Sequence, residues 1–221
     1  AQKIIKKNFH YKHLKFIDLS ADFRIRDFNK YKNWYSINHK AKNLIDKSIY
    51  SIPEFTKDVI KKFRILANPG CYPTSIQLPL IPLFKESLLS TNNITIDSKS
   101  GYSGAGKNLE IKFKHKNLYH STFAYSNMGH RHICEIDQEI LRLTKKKISY
   151  TFNPHLLPTF RGMLSSIYVH TKNKITGEHL RNTLTKFYKE EKFIKILKLN
   201  TSIGSGNVLN TNNCEISICK T

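Results

Sequence analysis

The sequence predicts a protein of α/β or α+β class. Short apolar runs rich in β-branched residues alternate with longer segments whose apolar residues recur at three- and four-residue steps. One passage, Ala67-Asn68-Pro69-Gly70-Cys71-Tyr72-Pro73-Thr74, leads from a strand pattern through a Pro-Gly turn into a helix pattern. No apolar run approaches the roughly 18 residues of a bilayer span. With 221 residues, 39% of them hydrophobic, the chain can build one sizeable core, or one domain and part of another.

The elements follow in order. Residues 14–19 (LKFIDL) read as a short buried strand, with 20–24 as its polar exit loop. Residues 27–51 are polar and aromatic with weak periodicity, which predicts an irregular excursion. Residues 63–67 (FRILA) form a second strand. Pro73 suits a first helical turn, so a helix is expected over 75–89, kinked or delayed by Pro79 and Pro82. Residues 94–98 are a strand that ends in the Gly-rich segment 100–107, and the Lys- and His-rich segment 108–121 reads as exposed. Ile133, Ile136, Ile140 and Leu143 mark a helix over 132–143. Strands are expected at 148–152, 163–171 and 193–199, a helix at 177–191, and a crossover loop at 155–162. A further short segment at 214–219 closes the chain.

The net charge is +21, from 37 basic and 16 acidic residues. Such a charge can signal a polyanionic partner. Here lysine far outnumbers arginine, the lysines are scattered, and Asn, Ile, Phe and Tyr are abundant, as the codons of an AT-rich genome would supply. The expectation is therefore no nucleic-acid partner and no membrane partner. The field can still gather a small anion. Cys71, Cys134, Cys214 and Cys219 include no C-x-x-C pair and are too sparse for a disulfide scaffold. A reducing, cytoplasmic location fits them.

Four segments carry candidate chemistry. The first places Cys71 where a strand ends and a helix begins. Free backbone N–H groups and the helix dipole favour a thiolate there, although a buried, inert cysteine in a turn would read the same way. The second is Gly129-His130-Arg131-His132, which offers an acid/base partner or a solvated basic turn. His130, His132 and Cys134 alternate as metal ligands would on a strand, but the helix from Glu135 onward breaks that face, so no metal is expected. The third is the Gly-rich loop with Ser100, Gly101, Ser103 and Gly104. It could approach an anion or a flat ring, yet it matches neither the dinucleotide fingerprint nor a P-loop. The fourth contains His155 and Arg161, candidates for an anionic ligand.

Taken together, the motifs resemble one family. They are Ile17-Asp18-Leu19-Ser20-Ala21-Asp22-Phe23-Arg24, Trp34-Tyr35, Tyr50-Ser51-Ile52-Pro53-Glu54, the Cys71 segment, residues 99–106, His130-Arg131-His132 and residues 155–162. In this order they are similar to the N-acetyl-gamma-glutamyl-phosphate reductases. The resemblance implies a partial Rossmann-type cofactor domain over residues 1–73 and a mixed-sheet, α+β catalytic and oligomerisation domain over 74–221, of the semialdehyde dehydrogenase type. It implies NADPH-dependent reduction of an acyl phosphate to an aldehyde in arginine biosynthesis, with release of phosphate. Cys71 corresponds to the nucleophile and His130 to the acid/base, with His132 the alternative within the motif. Arg24, Tyr125, His132 and Arg161 become substrate-binding candidates; Ser20, Ser100, Gly101, Ser103 and Gly104 become NADP-binding candidates. A homo-oligomer is expected. The family's nucleotide-binding Gly-rich turn and its last helix have no counterpart here, which leads to the expectation of a chain lacking both ends. A reductase of aminoadipate-type acyl phosphates is the related alternative; a basic nucleic-acid-binding domain is the unrelated one.

Overall fold

The structure, a computed structural model, describes residues 1–104, 120–126, 129–172 and 174–219. Expectations for residues 105–119, including the end of the Gly-rich loop and most of the Lys/His-rich segment, fall outside the described residues. The chain forms two compact units. One comprises Ala1–Thr74 with Arg131–Gln138, the other Ser75–His130 with Glu139–Thr221. The chain first passes from one unit to the other between Thr74 and Ser75, and residues 131–138 belong to the N-terminal unit.

The first unit contains α1 (Gln2–Asn8), β1 (Phe16–Asp18), α2 (Phe28–Tyr35), β2 (Ser48–Tyr50), α3 (Pro53–Thr56), β3 (Ile65–Ala67) and the start of α4 (Cys71–Lys85). Its sheet is parallel throughout, in the order β1-β3-β2. Ile5, Phe23, Leu44, Ile45, Ile65 and Ala67 form its core, with Phe9, Phe16 and Phe28 packed against them. The excursion expected to be irregular over 27–51 contains α2, a 3-10 turn (Lys42–Lys47) and β2. Helix α2 is polar, and Tyr31 is its one buried residue. It is fixed at its start by the Asp27 carboxylate, which accepts from the N–H groups of Asn29 and Lys30, rather than by an apolar stripe.

The second unit carries the rest of α4, β4 (Ile94–Gly101), β5 (Phe123–Ala124), the end of α5 (Ile133–Thr144), β6 (Tyr150–Leu157), β7 (Met163–Tyr168), α6 (Gly177–Phe187), β8 (Ile194–Ile196) and β9 (Cys214–Ile216). Four strands form a mixed sheet in the order β5-β6-β4-β7. Within it β4 and β6 are parallel, and the other two pairings are antiparallel. Strands β8 and β9 form a separate parallel pair. Helix α4 runs through Pro79 and Pro82 without a break. Proline cannot donate to the carbonyl four residues back. For Pro82 that carbonyl is Leu78 O, and the Tyr188 hydroxyl donates to it at 2.6 Å instead. The crossover loop expected from residue 155 begins later, because β6 continues through His155 to Leu157, paired along the whole of β4. Among the described residues no helix is long and apolar enough to cross a membrane.

Candidate active site

Cys71 is the first residue of α4 and is exposed to solvent. The parallel strand β3 delivers it: after Ala67 the chain turns through Asn68-Pro69-Gly70, and the Thr74 N–H and hydroxyl both close on Gly70 O. This turn lies at the C-terminal edge of the sheet, where open α/β sheets bind ligands.

Two side chains from the segment 131–138 complete the arrangement. His132 is hydrogen-bonded to Cys71. Its Nδ1–H donates to Glu135 Oε1 at 2.6 Å, which leaves Nε2 as the nitrogen for the sulfur. Glu135 is fully buried. Its Oε1 also accepts from Arg24 Nη1 at 3.1 Å; its Oε2 accepts from the Tyr50 hydroxyl at 3.2 Å and the Gly70 N–H at 3.0 Å. A buried carboxylate is tolerable only when paired and hydrogen-bonded, and here four donors meet it.

The charges follow from this geometry. Protein crowded around the Cys71 sulfur would by itself push the thiol up. The hydrogen bond and charge of His132, with the backbone N–H groups of Tyr72 and Cys71, outweigh that effect and hold the thiol below its ordinary value. Burial would lower His132, but its bonds to Cys71 and Glu135 hold it above the usual histidine range. Burial would raise Glu135, but His132, Arg24 and the Gly70 N–H hold it below the usual carboxylate range. The result is a thiol biased toward thiolate beside an imidazole biased toward imidazolium.

The first unit thus brings together Cys71, His132 and Arg24 from the sequence-derived candidates. Arg24 Nε and Nη2 donate to Asn68 O (2.7 Å) and Leu19 O (3.1 Å). Ser20 is exposed and donates both its N–H and its hydroxyl to Asp18 Oδ1. The other candidates belong to the second unit. His130 is buried, its ring edge-on to those of Tyr125 and Phe152. The N–H groups of Gly101 and Ser103 donate to the carbonyls of Gly162 and Phe160, and Ser100 is buried within β4. Arg161 is exposed, with its guanidinium over the Phe160 ring.

Glu135, Tyr50 and Gly70 were not among the site candidates drawn from the sequence. For Glu135 a signal existed. It stands three residues after His132, the spacing at which side chains meet on a helix. Gly70 is needed because a Cβ there would lie 2.2 Å from His132 Cε1.

A parallel-sheet unit followed along the chain by a mixed-sheet unit is a fold shared with semialdehyde dehydrogenases of known structure. The aspartate semialdehyde dehydrogenase II of Vibrio cholerae has this fold: it superposes with a TM-score of 0.66 at 14% identity, covering 98% of this chain and 66% of that one. The enzyme of Francisella tularensis superposes with a TM-score of 0.62 at 12% identity, covering 97% of this chain and 85% of that chain. Residues 71–221 match the family described as semialdehyde dehydrogenase, dimerisation domain, and the chain belongs to that family. Its relatives include the N-acetyl-gamma-glutamyl-phosphate reductase of Desulforamulus reducens, 39% identical over 218 residues (99% of this chain, 62% of the relative). They also include the probable chloroplastic N-acetyl-gamma-glutamyl-phosphate reductase of Arabidopsis thaliana, 41% identical over 205 residues (93% of this chain, 51% of the relative). The chain therefore spans between about half and three fifths of the length of these relatives. The resemblance read from the sequence motifs agrees with them.

Proposed function

We propose that this chain carries the thiol chemistry of an N-acetyl-gamma-glutamyl-phosphate reductase in arginine biosynthesis. The observation that carries the reading is the Cys71–His132–Glu135 arrangement. His132 takes the thiol proton, and the sulfur attacks the carbonyl carbon of the acyl phosphate. The carbon–oxygen bond to phosphate breaks, phosphate leaves with the proton held by His132, and a thioester remains on Cys71. NADPH, when bound, supplies the hydride that reduces this thioester to the aldehyde. As the carbon–sulfur bond breaks, its electron pair returns to sulfur, and the thiolate regains a proton from solvent. Glu135 keeps Nδ1 protonated, so Nε2 is the nitrogen that exchanges the proton.

This assignment moves the acid/base role from His130 to His132, because His132 is the histidine bonded to Cys71. Tyr125, His130 and Arg161 then become candidates for the substrate's anionic groups. The cofactor candidates differ in how well they suit a flat ring. A Cβ at Gly101 would meet Phe160 O at 2.7 Å and Arg161 N at 2.8 Å, so that glycine admits its own chain. At the exposed Gly104 the one described neighbour within 4.0 Å is Ser100 Oγ. Ser20, Ser100, Gly101, Ser103 and Gly104 remain the residues proposed for NADPH. The dimerisation-domain family supports a homo-oligomer.

The test is acyl transfer. Incubation of the chain with N-acetyl-gamma-glutamyl phosphate should add an acyl group to the Cys71 peptide by mass spectrometry, with one phosphate released, and neither event should occur with Cys71→Ser. Faster transfer from an aminoadipate-type acyl phosphate would reassign the substrate. Unchanged phosphate release by a folded Cys71→Ser variant would remove the thioester route.

A further inference from the structure

Arg24 is almost completely buried, at 7% exposure. A guanidinium has five N–H donors in a fixed planar fork. Three of them go to protein: one to Leu19 O just beyond β1, one to Asn68 O in the turn before Cys71, and one to Glu135 Oε1. The acceptors come from three separate stretches of the chain. Two lie on the path of the nucleophile and its base: the Asn68 carbonyl is three residues before Cys71, and Glu135 accepts from His132. A single-point cation such as lysine could neutralise Glu135, but it could not hold three acceptors in one plane.

We propose that Arg24 is a positioning residue: its fork fixes the turn that carries Cys71 together with the carboxylate that orients His132, and so couples nucleophile to base. The inference rests on the Cys71–His132 pair of the proposed function, not on any particular substrate. The groups facing Glu135 within the first unit are His132, Arg24, Tyr50 and the Gly70 N–H, with Tyr35 and Cys134 nearby. Arg24 and His132 are the cations among them. Without Arg24, the buried carboxylate loses one of its two positive neighbours and gains a proton more readily. A protonated Glu135 holds the imidazolium less firmly, and the thiolate beside it becomes less favoured.

The experiment is the pH dependence of Cys71 alkylation by iodoacetamide in the 221-residue chain, followed on the Cys71 peptide by mass spectrometry. It is run for the native chain, Arg24→Met, Glu135→Gln and the double variant, with circular dichroism to confirm folding. Arg24→Met should shift the alkylation midpoint upward and slow the reaction at pH 7 by roughly three- to tenfold, a tenfold change corresponding to one pH unit. If Arg24 acts through Glu135, the double variant should be no slower than Glu135→Gln alone. Arg24→Lys covers the case in which the Met variant does not fold; it should restore folding and part of the shift while remaining slower than native. An unshifted Arg24→Met profile, or an Arg24→Met effect undiminished in the Glu135→Gln background, overturns the inference; so does Arg24→Lys behaving as native where the Met variant fails to fold. A native chain whose Cys71 titrates as an ordinary thiol overturns both this inference and the Cys71–His132 pair. A native chain with a lowered midpoint but no Arg24 effect overturns the inference alone.

Discussion

Gly70→Ala tests the geometry with a single methyl group. Gly70 does not occupy the left-handed region, so alanine meets no backbone penalty there. Its Cβ would nevertheless lie 2.2 Å from His132 Cε1, 2.6 Å from Nδ1 and 2.8 Å from Nε2. Carbon atoms pack at about 3.5–4.0 Å, so ring and methyl must separate by at least about 1.3 Å. The ring is not free to yield, because its Nδ1 is held by Glu135 at 2.6 Å and its other side serves Cys71. A displacement of that size takes the imidazole out of hydrogen-bond range of one partner. Overpacking of this kind costs about 1–3 kcal/mol. The more specific consequence is chemical: Cys71 loses the neighbour that lowers its pKa, and alkylation at pH 7 should slow by about tenfold, one pH unit in thiol titration. Thermal melting and the alkylation profile are to be measured on the same preparation. A Gly70→Ala variant with a native profile and native melting would show that His132 is not held against Gly70 and Cys71 as described.

Three further outcomes are expected. His132→Asn should reduce acyl transfer to Cys71 by about 10²- to 10⁴-fold, the scale of a lost general acid or base. His130→Asn should act mainly on substrate affinity; the reverse order in acyl-transfer kinetics would return the acid/base role to His130. Stability should respond to pH on both sides. Glu135 is held down in the folded state, so its contribution is present above the unfolded value of about 4.3 and is lost as pH falls through its folded value. His132 is held up, so its contribution is complete below about 6.5 and is lost as pH rises through its folded value; Glu135→Gln should remove the acid limb of the melting profile. Finally, duplex DNA should bind only weakly and without sequence preference at physiological salt, because the lysines are scattered; nanomolar, selective binding by gel shift would contradict this.

The passage from β3 through Cys71 into α4 was legible because its signals are local: an apolar run, a Pro-Gly turn and a proline suited to a first helical turn. Strand β4 was legible for a similar reason, since Ile94 and Ile96 alternate with polar residues and mark one buried face, whereas the two-residue β5 was not. Helix α2 was not, because a side-chain cap and the hydrogen bonds of Tyr31 to Gln2 and Asp22 hold it instead of an apolar stripe. The choice between His130 and His132 was not legible either. Two residues apart, they diverge according to where α5 begins, and that start belongs to the first unit while His130 belongs to the second. Tyr50 and Glu135 meet across 85 residues of sequence, and no local pattern announces such a contact.

The chain passes between its two units at 74/75, 130/131 and 138/139. The sulfur and the base that activates it are therefore finished at different moments of synthesis. When Thr74 emerges, Cys71 and Arg24 have been made, but the carboxylate that pairs with Arg24 is still unmade. At ribosomal rates of roughly 5–20 residues per second, the missing segment arrives about 3 to 13 s later. Through that interval the thiol lacks its imidazole, the largest of the influences that lower its pKa. The pair of thiol and imidazole is complete only after residues 131–138 have been made.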